Sequence, residues 1–248
     1  EHLKEKQSVV IVEGYMDLIS LFQIGIKNVV ATLGTAFTKN QAKLLKKYVK
    51  EAVLMFDSDE AGKKAVIQTA KILLSEGITV RYAYYKEAKD PDELSKQGLS
   101  KVKEIIDQSK DIIIFLLERL KSIQDSDVKT QLKNYQTIYQ YITEIISYIE
   151  DPALRNSYVE LVSKYTGRSF TNVESDIEKV RVSTKRERES LNYSEEQDET
   201  VNLKLSMKEM MVLKYILENE DFLQKYNFYD IITFSDALGY YIQLINSG

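Results

Sequence analysis

Residues 8–17 read SVVIVEGYMD and residues 53–65 read VLMFDSDEAGKKA. In each, a short apolar run breaks off into acidic residues and then resumes as an amphipathic helical pattern. A continuous apolar run of this length suits a strand buried on both faces, as in a parallel sheet covered by helices. Working outward, Asn28–Thr32 (NVVAT) and Thr79–Tyr84 (TVRYAY) repeat the strand signal. Between the runs, Tyr15–Gln23, Lys39–Lys50 and Glu60–Leu74 carry helical spacing. This β-α-β rhythm predicts an α/β domain over residues 1–98, with about four parallel strands flanked by helices.

Beyond residue 98 the period becomes helical throughout. Ile112–Leu120 is an apolar helical segment, and Tyr135, Ile138, Ile142, Ile145 and Ile149 recur at helical spacing as one long stripe. Asp151-Pro152 ends that helix and starts the next, which runs to Gly167. Thr171 and Glu174 form a capping-box pair for one more short helix. Residues 99–182 therefore read as a helical bundle. Fourteen of the 27 residues from Glu174 to Thr200 are charged, so 183–200 reads as a linker. Helical spacing resumes over 201–248, with Met207, Met210, Met211, Ile216 and Phe222; that segment is short for a domain and reads as the start of a larger one.

Composition narrows the chemistry. Of 248 residues, 44% are hydrophobic and 29% charged, enough to build real cores. Cysteine is absent and His2 is the only histidine, which excludes disulfides, zinc sites and Cys or His nucleophiles. No signal peptide or membrane-length apolar run is present, so a cytoplasmic protein without membrane partners is expected. The formal charge of −4 is uneven: residues 1–100 hold 15 Lys+Arg against 13 Asp+Glu, net +2, and the remainder 19 against 25, net −6. A nucleic-acid surface belongs to the front half.

Acidic residues sit where strands end. Glu13 follows the first strand, with Asp17 one helical turn on; Asp57 and Asp59 follow the third, and Asp90 and Asp92 the fourth. Ligands of open parallel sheets bind outside the carboxyl ends of strands, so these groups are placed to converge. Carboxylates without His or Cys make a site for Mg²⁺ or Mn²⁺. Each turn taken alone is an ordinary helix cap; the joint placement favours the metal site. The turn Thr32-Leu33-Gly34-Thr35-Ala36 offers Gly34 and Thr35 to a phosphate, or is a tight connection capped by Thr38, which pattern alone favours. Lys39, Lys43, Lys46, Lys47 and Lys50 read as a solvated helix face. Lys63 and Lys64 face Asp57 and Asp59, to neutralise phosphate or merely to meet solvent.

The ordered set VEGYMD (12–17), ATLGTA (31–36), FDSDEAGKKA (56–65) and DPDE (90–93) resembles the Toprim catalytic core of bacterial DnaG-type DNA primases. Ser58 departs from that pattern, standing where the family usually has Gly between the paired aspartates. The resemblance implies a Toprim-type small parallel sheet followed by an all-α part. It also implies binding of Mg²⁺ or Mn²⁺ by Glu13, Asp17, Asp57, Asp59, Asp90 and Asp92, with Glu13, Asp57 and Asp59 catalytic. The implied activity is synthesis of short RNA primers from ribonucleoside triphosphates on single-stranded DNA.

By the same resemblance, 201–248 looks like the start of a domain that docks on a DnaB-type replicative helicase. The family's zinc-binding and basic N-terminal parts are missing, so the chain reads as a primase fragment, weak or inactive alone. Two alternatives stand beside this reading: another Toprim phosphoryl-transfer enzyme of the nuclease or topoisomerase kind, and a non-catalytic helicase-binding module.

Overall fold

The computed structural model describes residues 7–32, 36–123 and 127–195. The Gly34–Thr35 turn and the 201–248 segment lie outside the described residues. The elements run β1 (Ser8–Val12), α1 (Tyr15–Gln23), β2 (Val29–Ala31), α2 (Lys39–Lys46), β3 (Glu51–Leu54), α3 (Glu60–Ser75), β4 (Thr79–Tyr82), α4 (Pro91–Ser95) and α5 (Leu99–Asp107). They continue with β5 (Lys110–Asp111), α6 (Ile112–Lys121), α7 (Val128–Ser147), α8 (Pro152–Thr166) and α9 (Phe170–Glu195).

The strands form one sheet in the order β2-β1-β3-β4-β5. The first four are parallel, with Val10 opposite Val29, Val9 opposite Ala52 and Ala52 opposite Val80. A fifth strand, beyond the four expected, joins antiparallel, with Arg81 opposite Asp111. Two polar residues carry no strand signal; a side chain makes this edge. The Arg81 guanidinium donates to the carbonyls of Ser109 at 2.8 Å and Asp107 at 2.9 Å, taking the last carbonyl of α5 and one just beyond it and holding the chain beside β4.

Alternation along the strands divides the interior in two. Val10, Val12, Val53 and Met55 face α1, α4 and α5, with Leu18, Leu21, Leu94 and Val102 packed on them. Val9, Ile11, Leu54, Phe56, Val80 and Tyr82 face the other way, onto α2, α3 and the later helices. Ile142, Ile145, Ile146 and Ile149 of the long stripe lie in that same core. Each such side chain contributes about 1.5–3 kcal/mol on burial, so the bundle is fastened to the sheet by its own apolar stripe. One ion pair crosses the same seam: Lys71 of α3, 6% exposed, meets Glu144 of α7 at 3.2 Å.

Several boundaries move from those expected. The third strand pairs two residues earlier, at Glu51–Leu54, because Glu51 and Ala52 lie beside Ser8 and Val9. Asp151 caps α8 by accepting from the amide of Ala153 at 2.8 Å, and Gly167 closes it at φ +70°, as expected. The last helix is capped by Ser169, whose carbonyl takes the amides of Asn172 and Val173, rather than by Thr171. It is long, not short: α9 runs on to Glu195, through much of the charged stretch read as a linker.

Candidate active site at the carboxyl ends of the strands

Glu13 follows directly on β1, and its Oε1 accepts from the Asp57 amide at 3.3 Å, which joins the ends of neighbouring strands β1 and β3. Gly14 then opens α1, its amide donating to Asp17 Oδ2 at 3.0 Å. The other Asp17 oxygen takes the Asp92 amide at 3.1 Å, so this carboxylate, only 7% exposed, pins α4 to the β1 turn. Both oxygens are committed to positioning.

The β3 turn is equally tied down. Tyr85 Oη donates to the Phe56 carbonyl at 2.8 Å inside the core. Asp59 caps α3, accepting from the Gly62 amide at 2.7 Å. Ser58 donates from its amide to the Lys89 carbonyl at 2.9 Å, and its hydroxyl reaches the same carbonyl at 3.1 Å. Gln7 is the only non-glycine with positive φ among the described residues, so the turn needs no glycine at 58. Serine instead adds a tether to the loop that presents Asp90.

Tyr85→Phe deletes the bond to Phe56 and leaves a buried carbonyl short of a donor. A loss of about 1–1.5 kcal/mol is expected, measured by urea unfolding.

Asp90 caps α4, accepting from the Glu93 amide at 2.7 Å. Asp92 has its own partners: Ser20 donates to it, and Lys96 lies 3.1 Å from its other oxygen. These partners hold its carboxyl below the ordinary value.

Electrostatics separates the remaining acids from simple caps. Burial and then the charges of Glu13, Asp17, Asp90 and Asp59 push the Asp57 carboxyl up to about 6. Burial, with Asp59 and Asp17, also raises Glu13, against the pull of the Asp57 amide. Asp17 is raised chiefly by burial, despite its two amide donors. Neither Asp57 nor the second oxygen of Glu13 has a hydrogen-bond or ion-pair partner among the described residues. Carboxylates that repel one another in a half-buried crevice, with no lysine or arginine paired to Glu13 or Asp57 among the described residues, could serve as donors to a hard cation.

Among the described residues no three carboxylates are gathered closely enough to hold one ion together. The six acids expected as ligands differ in their surroundings: Asp92 meets Ser20 and Lys96, and Asp17 accepts from two amides. Magnesium is ordinarily held through one or two carboxylates, with water and phosphate oxygens completing its shell, and Asp57 with Glu13 or Asp59 fits that pattern.

Lys63 pairs with Glu60 at 2.6 Å, and Lys63 and Lys64 line a cavity against α6 and α7. Thr38 does cap α2, and Lys39, Lys43, Lys46, Lys47 and Lys50 are all exposed.

Gly62 is the residue that sequence reasoning passed over. A Cβ there would lie 2.3 Å from the Asp57 carbonyl oxygen and 3.1 Å from Glu13 Oε1. The start of α3 presses on both acids, and only glycine allows it. The available signal was a glycine inside a helical pattern, which marks a close approach.

Comparison with known proteins bears on the fold and the family. A Toprim-like family model matches residues 10–95. A DNA primase of Clostridium acetobutylicum is 32% identical over 222 residues, covering 86% of this chain and 36% of the relative. The chain thus spans little more than a third of that relative's length. The crystal structure of the Aquifex aeolicus primase zinc-binding and RNA polymerase domains matches at 32% identity and TM-score 0.59, over 69% of this chain and 40% of that one. A DnaG primase catalytic domain bound to single-stranded DNA matches at 25% identity and TM-score 0.50, over 64% of this chain and 51% of that one. By its Toprim domain and the helices that follow it, this chain belongs with the bacterial DnaG-type DNA primases.

Proposed function

We propose that this chain supplies the catalytic carboxylates of a DNA primase, which makes short RNA primers on a single-stranded DNA template from ribonucleoside triphosphates. The observation that carries the reading is the placement of Glu13 and Asp57 at the ends of neighbouring strands, joined by the Asp57 amide to Glu13 Oε1 bond of 3.3 Å, with neither carboxylate ion-paired among the described residues. The single-stranded DNA named for one related structure supports the template. The remainder of a longer primase would complete the activity.

Mg²⁺, or Mn²⁺ in its place, would be held by Asp57 with Asp59 or Glu13, and supplies positive charge to the phosphates and the 3′-hydroxyl in phosphoryl transfer. Asp59 fixes the start of α3 through one oxygen and keeps the other for this task. Glu13 is steadied by the Asp57 amide, and its second oxygen takes part as ligand or as acceptor of the hydroxyl proton. Asp17, Ser58 and Asp90 set the spacing of the three turns. Residues 201–248, which start a helical segment in the sequence, would dock on a DnaB-type helicase in the cytoplasmic replisome.

The test is primer synthesis by the whole protein on a single-stranded template with labelled ribonucleotides, with and without Mg²⁺. Short RNA made only with the metal is expected. Metal-dependent cleavage of labelled DNA without RNA synthesis would contradict it and favour the nuclease or topoisomerase alternative.

A further inference from the structure

Between the start of α3, the end of β4 and helices α6 and α7 lies a cavity of about 410 Å³. That volume is within the roughly 300–1,000 Å³ range of small-molecule sites. The carboxylates discussed above do not line it. One wall is aromatic: Phe115 stands edge-on to Tyr82, centroids 5.0 Å apart, and 5.3 Å from Tyr84. Tyr82 is buried, while Tyr84 and Phe115 are half-buried and border the open space.

Lys64 and Arg119, both exposed, line the same cavity, and neither has a salt-bridge partner among the described residues. Glu60, the one acid in the lining, is engaged by Lys63. Aromatic rings that border open space recognise a planar, weakly polar group, and two cations without ion-pair partners beside them recognise an anion. A nucleobase joined to a phosphate has both parts, and stacking on aromatic side chains is tolerant of base identity.

We propose that this cavity is a nucleotide-binding subsite separate from the carboxylates. It takes one base against Tyr84 and Phe115 and its phosphate at Lys64 and Arg119. The inference rests on the priming reading for the class of ligand, but not on metal binding. The nucleotide comes either from a nucleic-acid strand or from a free nucleoside triphosphate.

The experiment is fluorescence anisotropy of a labelled single-stranded dT 12-mer with the full chain in EDTA at low salt, using Arg119→Glu, Tyr84→Leu and, as a charge control on the opposite face of the sheet, Lys103→Glu. Arg119→Glu and Tyr84→Leu are expected to weaken binding about fivefold or more, and Lys103→Glu much less. Displacement of the oligonucleotide by ATP assigns the subsite to free nucleotide; no displacement assigns it to the strand. Thermal melts identify a misfolded Tyr84→Leu protein, in which case the exposed Arg119→Glu decides alone. If Arg119→Glu binds as tightly as Lys103→Glu, or the folded wild-type chain binds neither the oligonucleotide nor a fluorescent ATP analogue, the subsite is overturned. EDTA keeps either failure distinct from failure of the metal site.

Discussion

Primer synthesis by the whole protein is expected to fall on the order of 10²–10³-fold when Asp57 becomes Asn, while the metal-free chain becomes more stable at pH 7. Both effects come from one carboxylate. Asn keeps the size of the side chain but removes the charge that would hold the cation, so the catalytic loss follows from the proposed role. The stability gain follows from the shift to about 6, caused by burial and by four neighbouring acids.

Between an ordinary 3.8 and about 6, the native carboxyl holds a proton that the unfolded chain has already released. Stability therefore falls as pH rises through that window and is flat above it. Glu13 and Asp17, also raised, slope the same way; Asp92, lowered, slopes the other way and loses its contribution as pH falls. With solvent screening of a partly exposed group, Asp57→Asn should gain about 1 kcal/mol at pH 7. A melting temperature roughly 2–4 °C higher would register it. Melts from pH 4 to 8 should show a shallower fall in the variant, and equal slopes would contradict the charge account.

Gly62→Ala is expected to destabilise the protein by about 1–2 kcal/mol and to weaken Mn²⁺ binding. Two effects oppose each other at this position. Alanine in a helix gains about 1 kcal/mol over glycine in propensity. Against that, the added methyl would stand 2.3 Å from the Asp57 carbonyl oxygen and 2.9 Å from its carbon. Those are backbone atoms of a turn held by Glu13, Lys89 and Tyr85, so the overlap cannot be relieved by rotating a side chain. Overpacking of this kind costs roughly 1–3 kcal/mol or more, and the steric cost wins. Moving the turn also displaces the two acids that the glycine touches. Urea unfolding gives the stability and calorimetry the binding; a variant as stable as wild type would show that the close approach does not matter.

The sheet was legible because its strands are buried on both faces. Val9–Val12 is an unbroken apolar run, and its alternate residues fill two different cores. The fifth strand was not legible, because Lys110 and Asp111 carry no apolar signal and their place is set by Arg81, nearly thirty residues earlier. The bundle stripe was legible as a helix, but its packing on the sheet, with Lys71 meeting Glu144, is a tertiary choice.

The acidic crevice could be read from carboxylates recurring at strand ends. Their division of labour could not. Asp92 is drawn off by Ser20, 72 residues away in the chain, and Asp17 by an amide 75 residues away. That Lys63 and Lys64 border a cavity with residues of α6 and α7 was not legible, because it depends on how the bundle packs on the sheet. An acidic turn that caps a helix still has an oxygen to spare: Asp59 and Asp90 each cap a helix with one oxygen.

The measurement that bears most directly on the central claim is a calorimetric titration of the full chain with Mn²⁺, beside an Asp57→Asn, Asp59→Asn double variant whose folding is checked by circular dichroism. The account predicts saturable binding by wild type and none by the folded variant. Equal binding by the two proteins, or no binding by folded wild type, would contradict it.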